Sequence, residues 1–99
     1  MAIPPKHLRE LYQLFSSIGS EKEAKLLLED LMTPQELASL AERWQLIQEL
    51  HAGSPQRDIA KKLHVSISKI TRGSRQMKFG SGGFPLFLKK LKKNSAASW

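Results

Sequence analysis

Residues 56–72 read QRDIAKKLHVSISKITR, and the fold turns on how this stretch divides. Ile59, Ala60 and Leu63 recur at the 3- and 4-residue steps that one face of a short helix brings together, and Ile67 and Ile70 begin a second such face. His64-Val65 is the break between them, and Ser66 is placed to cap the second helix. Two short helices joined by a tight break form the outline of a helix-turn-helix. Each residue has a packing reason: small Ala60 permits close helix approach, Val65 anchors the turn, and Ile70 plugs the second helix onto the first. His64 occupies a turn position that commonly needs a positive φ, which a histidine adopts at a cost of about 1 kcal/mol. With the apolar residues available for packing, the outward set is Arg57, Ser66, Ser68, Lys69, Thr71 and Arg72.

On either side of this stretch the punctuation is again helical. Pro4-Pro5 precede KHLRELYQLFSSI, whose Leu8, Leu11, Tyr12, Phe15 and Ile18 share one face, and Gly19 ends it. Ser20 with Glu23 can form a capping box ahead of Leu27, Leu28 and Leu31. Thr33-Pro34-Gln35-Glu36 combines a capping threonine, a proline at the first helical position and a reciprocal glutamate. It predicts a helix to about His51 that buries Leu37, Leu40, Ala41, Trp44, Ile47 and Leu50, stopped by Gly53. Ser54-Pro55 starts the first helix of the helix-turn-helix, which spans about residues 55–78. Residues 79–83, FGSGG, predict a flexible connection, and FPLFLKKLKKN a last helix with Phe84, Phe87, Leu88 and Leu91 opposite its lysines. No period of two persists, so the expectation is an all-α protein: one helical domain over residues 1–93 and a disordered tail over 94–99.

Charge is distributed unevenly over the 99 residues. All nine acids lie at or before Asp58, alongside six basic residues, whereas ten Lys or Arg and no acid follow from Ile59 onward. So polarised a distribution implies a polyanionic partner. In a DNA-binding helix-turn-helix the N-terminal part of the second helix enters the major groove, where hydroxyls can bond base edges or phosphates and an outward Ile67 can meet a thymine methyl. The amphipathic faces exceed what one small chain readily covers, which suggests dimerisation. Without cysteine there is neither a disulfide framework nor a cysteine-based zinc site. His7, His51 and His64 lack the spacing of a helical metal pair, and no nucleophile, base and orienting group stand in a recognisable arrangement, so neither a metal site nor an enzyme is expected. No apolar run approaches the roughly 20 residues that cross a bilayer, and the N-terminus lacks a signal-peptide centre, so a cytoplasmic protein is expected.

From about Leu26 to Lys78 the chain resembles the Trp repressor family, most specifically in LMTPQELASLAERWQLIQEL, in GSPQRDIAKKLHVSISKITRGSRQMK and, within the latter, in ITRGS. Members of this family dock a helix-turn-helix in the major groove and make water-mediated base contacts. The resemblance implies an intertwined homodimeric repressor on a near-palindromic operator, with L-tryptophan as corepressor and tryptophan biosynthesis or transport genes as targets. It implies that Arg43 and Arg72 flank the indole ring, that Thr33 and Arg72 hold the carboxylate, and that the ammonium meets the backbone carbonyls around Asp30 and Met32, with Gln76 as a further acceptor. Wedged there, the ligand would fix the angle of the second helix, so ligand and DNA would favour the same conformer. On the DNA side it implies Arg57 on a guanine, Ile67, Ser68 and Thr71 at base-facing positions, and Gln56, Lys69 and Lys78 on phosphates. Asp30, Lys69 and Gln76 depart from the leucine, threonine and serine of the family pattern, which leaves open a second reading: a regulator of the same fold that does not respond to tryptophan. A third, of another class, is a membrane-surface module in which FPLFLKKLKK lies on anionic lipid.

Overall fold

The computed structural model describes residues 2–95, and their side chains as far as Lys92. Six helices follow one another: α1 (Pro5–Ser16), α2 (Glu21–Leu31), α3 (Pro34–His51), α4 (Gln56–Leu63), α5 (Ile67–Phe79) and α6 (Gly83–Ser95), with no strand among the described residues. They fall into two compact units, one up to Leu37 and one from Ala38 onward, so the division lies inside α3. Asn94 and Ser95, expected in a disordered tail, end α6; the rest of that expected tail, 96–99, lies outside the described residues.

In the first unit local chemistry sets the helix ends. Pro4 caps α1 and Pro5 is its first residue, where the missing N–H costs nothing. Before α2 the Glu23 backbone N–H donates to Ser20 Oγ at 3.1 Å and the Gly19 N–H to Glu23 Oε1 at 2.8 Å, so the carboxylate reaches one residue further back than in a strict capping box. At α3 the box is complete: the Glu36 N–H donates to Thr33 Oγ1 at 3.1 Å and the Thr33 N–H to Glu36 Oε1 at 2.9 Å. These bonds, the backbone one foremost, hold the Glu36 carboxyl below its ordinary range. Neither α1 nor α2 contains a buried residue, and Leu11, Tyr12, Phe15 and Leu31 of the expected inward faces are exposed.

The second unit contains the buried core. Leu46, Ile59, Val65 and Ile70 form one cluster, against which Leu50, Ala60 and Leu63 pack; Ile47 and Leu88 are also buried. Leu46 was not in the set expected to be inward, whereas Leu40 and Ala41 were and are exposed. The reason is position along α3: Leu46, in its second half, packs against Ile59, Val65 and Ile70, whereas Leu40, one heptad before Ile47 on the same side, and Ala41 lie nearer its start, where the described residues leave them uncovered. Gly73 is buried in the middle of α5, where an added Cβ would lie 3.2 Å from Leu46 Cδ2 and 3.5 Å from Ile47 Cδ1. The absence of a side chain there is what lets α5 sit directly on α3. Trp44 and Phe84 stack with ring centroids 6.3 Å apart, joining α6 to α3. The glycine connection is shorter than expected, because Phe79 completes α5 and Gly83 already begins α6.

Candidate functional site

The helix-turn-helix comprises α4 and α5. His64 adopts φ 55° and ψ 45°, the left-handed conformation expected of it, and its N–H donates to the Ala60 carbonyl, as does the Val65 N–H at 3.2 Å. Ser66 then caps α5, its hydroxyl oxygen accepting the Lys69 N–H at 3.2 Å. Buried Ile59, Val65 and Ile70 lock the two helices together, and this packing fixes which side of α5 is left outward.

That outer side is a shallow concavity lined by Ile67, Ser68, Thr71, Arg72, Arg75, Gln76 and Phe79. Ile67, expected at a base-facing position, is 51% exposed although α5 buries Ile70 one turn later. An isoleucine held so far into solvent contributes little to the fold, which leaves it free for contact with a partner. Gln56 and Arg57 occupy the first two positions of α4 and Lys78 the last turn of α5, all exposed. Arg75 and Phe79 extend this surface and were missed. Helical spacing from Thr71 and from Arg72 with Arg75 identifies both, since residues four apart share a face.

On the inner side of α5 a cleft of about 320 Å³ opens between α3 and α5, with α6 at one wall. It is lined by Ser39, Glu42, Arg43, Leu46, Lys69, Arg72, Gly73, Gln76 and Phe84. Its volume lies at the lower end of the range for small-molecule sites. The cleft thus brings together Arg43, Arg72 and Gln76 of the expected ligand residues. Thr33, Asp30 and Met32 belong to the first unit: Thr33 is the α3 cap, Asp30 lies in the last turn of α2, and Met32 follows it. Ser39, Glu42 and Phe84 are cleft residues that sequence reasoning did not select. Ser39 and Glu42 lie on the same side of α3 as Arg43 and Leu46, so the helical period would have found them; Phe84 is brought in only by the turn into α6.

Three cations and one carboxylate line this cleft. Lys69, expected on phosphate, donates to Glu42 Oε1 at 3.0 Å, spanning α5 to α3. A second pair braces the far end of α3, where Glu49 accepts Lys62 at 2.8 Å and the Ser54 hydroxyl at 3.0 Å. The Lys62 hydrogen bond and then that of Ser54 hold the Glu49 carboxyl below its usual range.

A model of the Trp repressor protein family matches residues 6–92, nearly the whole chain. The chain belongs to the Trp repressor family. Among its relatives, a Trp operon repressor homolog of Vibrio campbellii is 38% identical over 74 residues, covering 74% of either chain. Another from Chlamydia trachomatis serovar L2 is 36% identical over 86 residues, 86% of this chain and 74% of that one. A crystal structure of a TrpR like protein from Eubacterium eligens superposes with a TM-score of 0.82 at 28% identity, covering 88% of this chain and 90% of that one. The all-α Trp repressor fold and a regulatory, non-enzymatic role follow from this membership. No described helix is long and apolar enough to cross a membrane.

Proposed function

We propose that this Trp repressor family member is a homodimeric, DNA-binding repressor that takes L-tryptophan as corepressor and controls genes of tryptophan biosynthesis or transport. The observation that carries the reading is the double role of α5. Its outer side offers Ile67, Ser68 and Thr71, and its inner side, through Arg72 and Gln76, lines a cleft shared with Arg43. A ligand in the cleft bears on the same helix that would meet DNA, which is the physical requirement for coupling the two binding events. Arginine suits both ends of tryptophan: its plane stacks on an indole and its fork matches a carboxylate. The basic second half of the chain, with no acid from Ile59 onward, supports a polyanionic partner, and the exposed apolar residues of α1 and α6 support a second copy.

Isothermal calorimetry with L-tryptophan, using L-alanine and indole as controls, tests the reading. Saturable binding of about one ligand per chain that needs both the ring and the amino-acid group is the expected result. Absence of binding at ligand concentrations on the order of 1 mM would remove tryptophan from the reading and favour a regulator of this fold with a different switch.

A further inference from the structure

The Lys69–Glu42 pair is unlike the other contacts of α5. Lys69 lies in the first turn of the helix beside Ser68, yet its ammonium is directed to the cleft side, while Ile67, Ser68 and Thr71 line the outer surface. Its partner must come from an earlier helix, because the chain has no acid after Asp58. Among the described residues two lysines of this basic half are paired in that way, and the two pairs differ. Glu49 is held by both Lys62 and Ser54, which makes it a fixed brace. Glu42 has Lys69 as its one side-chain hydrogen-bond partner among the described residues, and both side chains are open to solvent, at 63% for Lys69 and 36% for Glu42. An ion pair so exposed is weak and exchangeable, and lysine carries its charge on a flexible four-carbon stem.

We propose that Glu42 competes with DNA phosphates for the Lys69 ammonium, so that one cation at the start of the reading helix is withheld from the DNA backbone. Glu42 is here an autoinhibitory, positioning residue that acts through Lys69. This inference rests on the DNA-binding reading above. A lysine that neutralises a phosphate releases condensed counterions and adds about 0.9 to the slope of log affinity against log salt. A lysine held by a carboxylate does not.

The test is binding of the full chain to a random-sequence DNA duplex across a salt series, without added tryptophan, for the wild type, Glu42→Gln, Lys69→Gln and the double variant. Glu42→Gln is expected to steepen the slope by about 0.9 and to tighten binding about fivefold near 0.1 M salt. In the Lys69→Gln background the same change at position 42 should alter neither quantity, which separates action through Lys69 from a general loss of negative charge. Equal slopes for wild type and Glu42→Gln, or an effect of Glu42→Gln that persists without Lys69, would overturn the inference. Failure of the wild type itself to bind any duplex overturns the DNA-binding reading, and the inference with it, and is a separate outcome of the same series.

Discussion

His64 acts on the fold through its backbone. A β-carbon in the left-handed region costs of order 1 kcal/mol, and the turn between α4 and α5 imposes φ 55° there. His64→Gly removes that strain but adds freedom to the unfolded chain, so we expect a net stabilisation of about 0.5 kcal/mol, read as a higher midpoint in urea denaturation. A lowered midpoint would show that the imidazole contributes to packing. Glu49 makes a prediction of the opposite kind, about charge. Its folded carboxyl titrates below its ordinary value because Lys62, and then Ser54, bond its charged form. The folded state therefore binds the proton less readily than the unfolded one. The contribution to stability is complete above the unfolded value of about 4.3 and is lost as pH falls through the lower folded value. Melting temperatures of wild type and Glu49→Gln should differ at pH 6 and converge toward pH 3. A gap that stays constant over that range would show that the brace acts through packing.

At the scale of elements, the helices were legible because their ends are written in short-range chemistry. Thr33 with Glu36, Ser66 with the Lys69 N–H, Pro5 at the start of α1 and His64 in the turn all depend on residues within four positions of each other. The faces were less legible. Leu46 and Gly73 are buried because α3 and α5 meet each other, a contact 27 residues apart in the chain, and nothing within either helix signals which of its apolar sides the other will cover. The cleft was half legible for the same reason: Arg43, Arg72 and Gln76 came from family resemblance, whereas Phe84 depends on where α6 turns back. The DNA-facing reading divides the two helices by chemistry. Arg57, in the first turn of α4, can make a bidentate pair with guanine worth about 1–3 kcal/mol of discrimination. Arg57→Ala should therefore relax preference at one base pair while leaving random-duplex binding close to wild type. Lys78→Ala should weaken all duplexes alike and reduce the salt slope by about 0.9. Selection from a randomised duplex library, followed by binding at several salt concentrations, checks both. Equal losses on selected and random duplexes for Arg57→Ala would move that arginine from the bases to the backbone.

For the molecule as a whole, the deciding feature is how much apolar surface the chain leaves uncovered. Tyr12 is 63% exposed, and Leu11 and Phe15 on the same helix are also exposed; at the other end so are Leu86, Phe87 and Leu91 of α6. Single exposed apolar residues are ordinary on a protein surface, but runs of them along one helix face mark an interaction surface. Because they recur at helical spacing they are also not the product of a composition rich in apolar residues. Those at a homodimer interface would lose water contact, and for a chain whose own buried core is confined to the second unit, that burial would supply a large share of the folding free energy. Stability should then depend on concentration. The melting temperature is expected to rise with protein concentration, and sedimentation equilibrium is expected to give twice the 11.2 kDa chain mass. Tyr12→Glu with Phe15→Glu puts two charges on the α1 face without removing a buried side chain, since α1 contains none. In a dimer held by that face the double variant should sediment as a monomer and melt lower, with the concentration dependence gone. If it keeps the wild-type mass and melting temperature, α1 is not at the interface, and the exposed face of α6 becomes the surface to charge next.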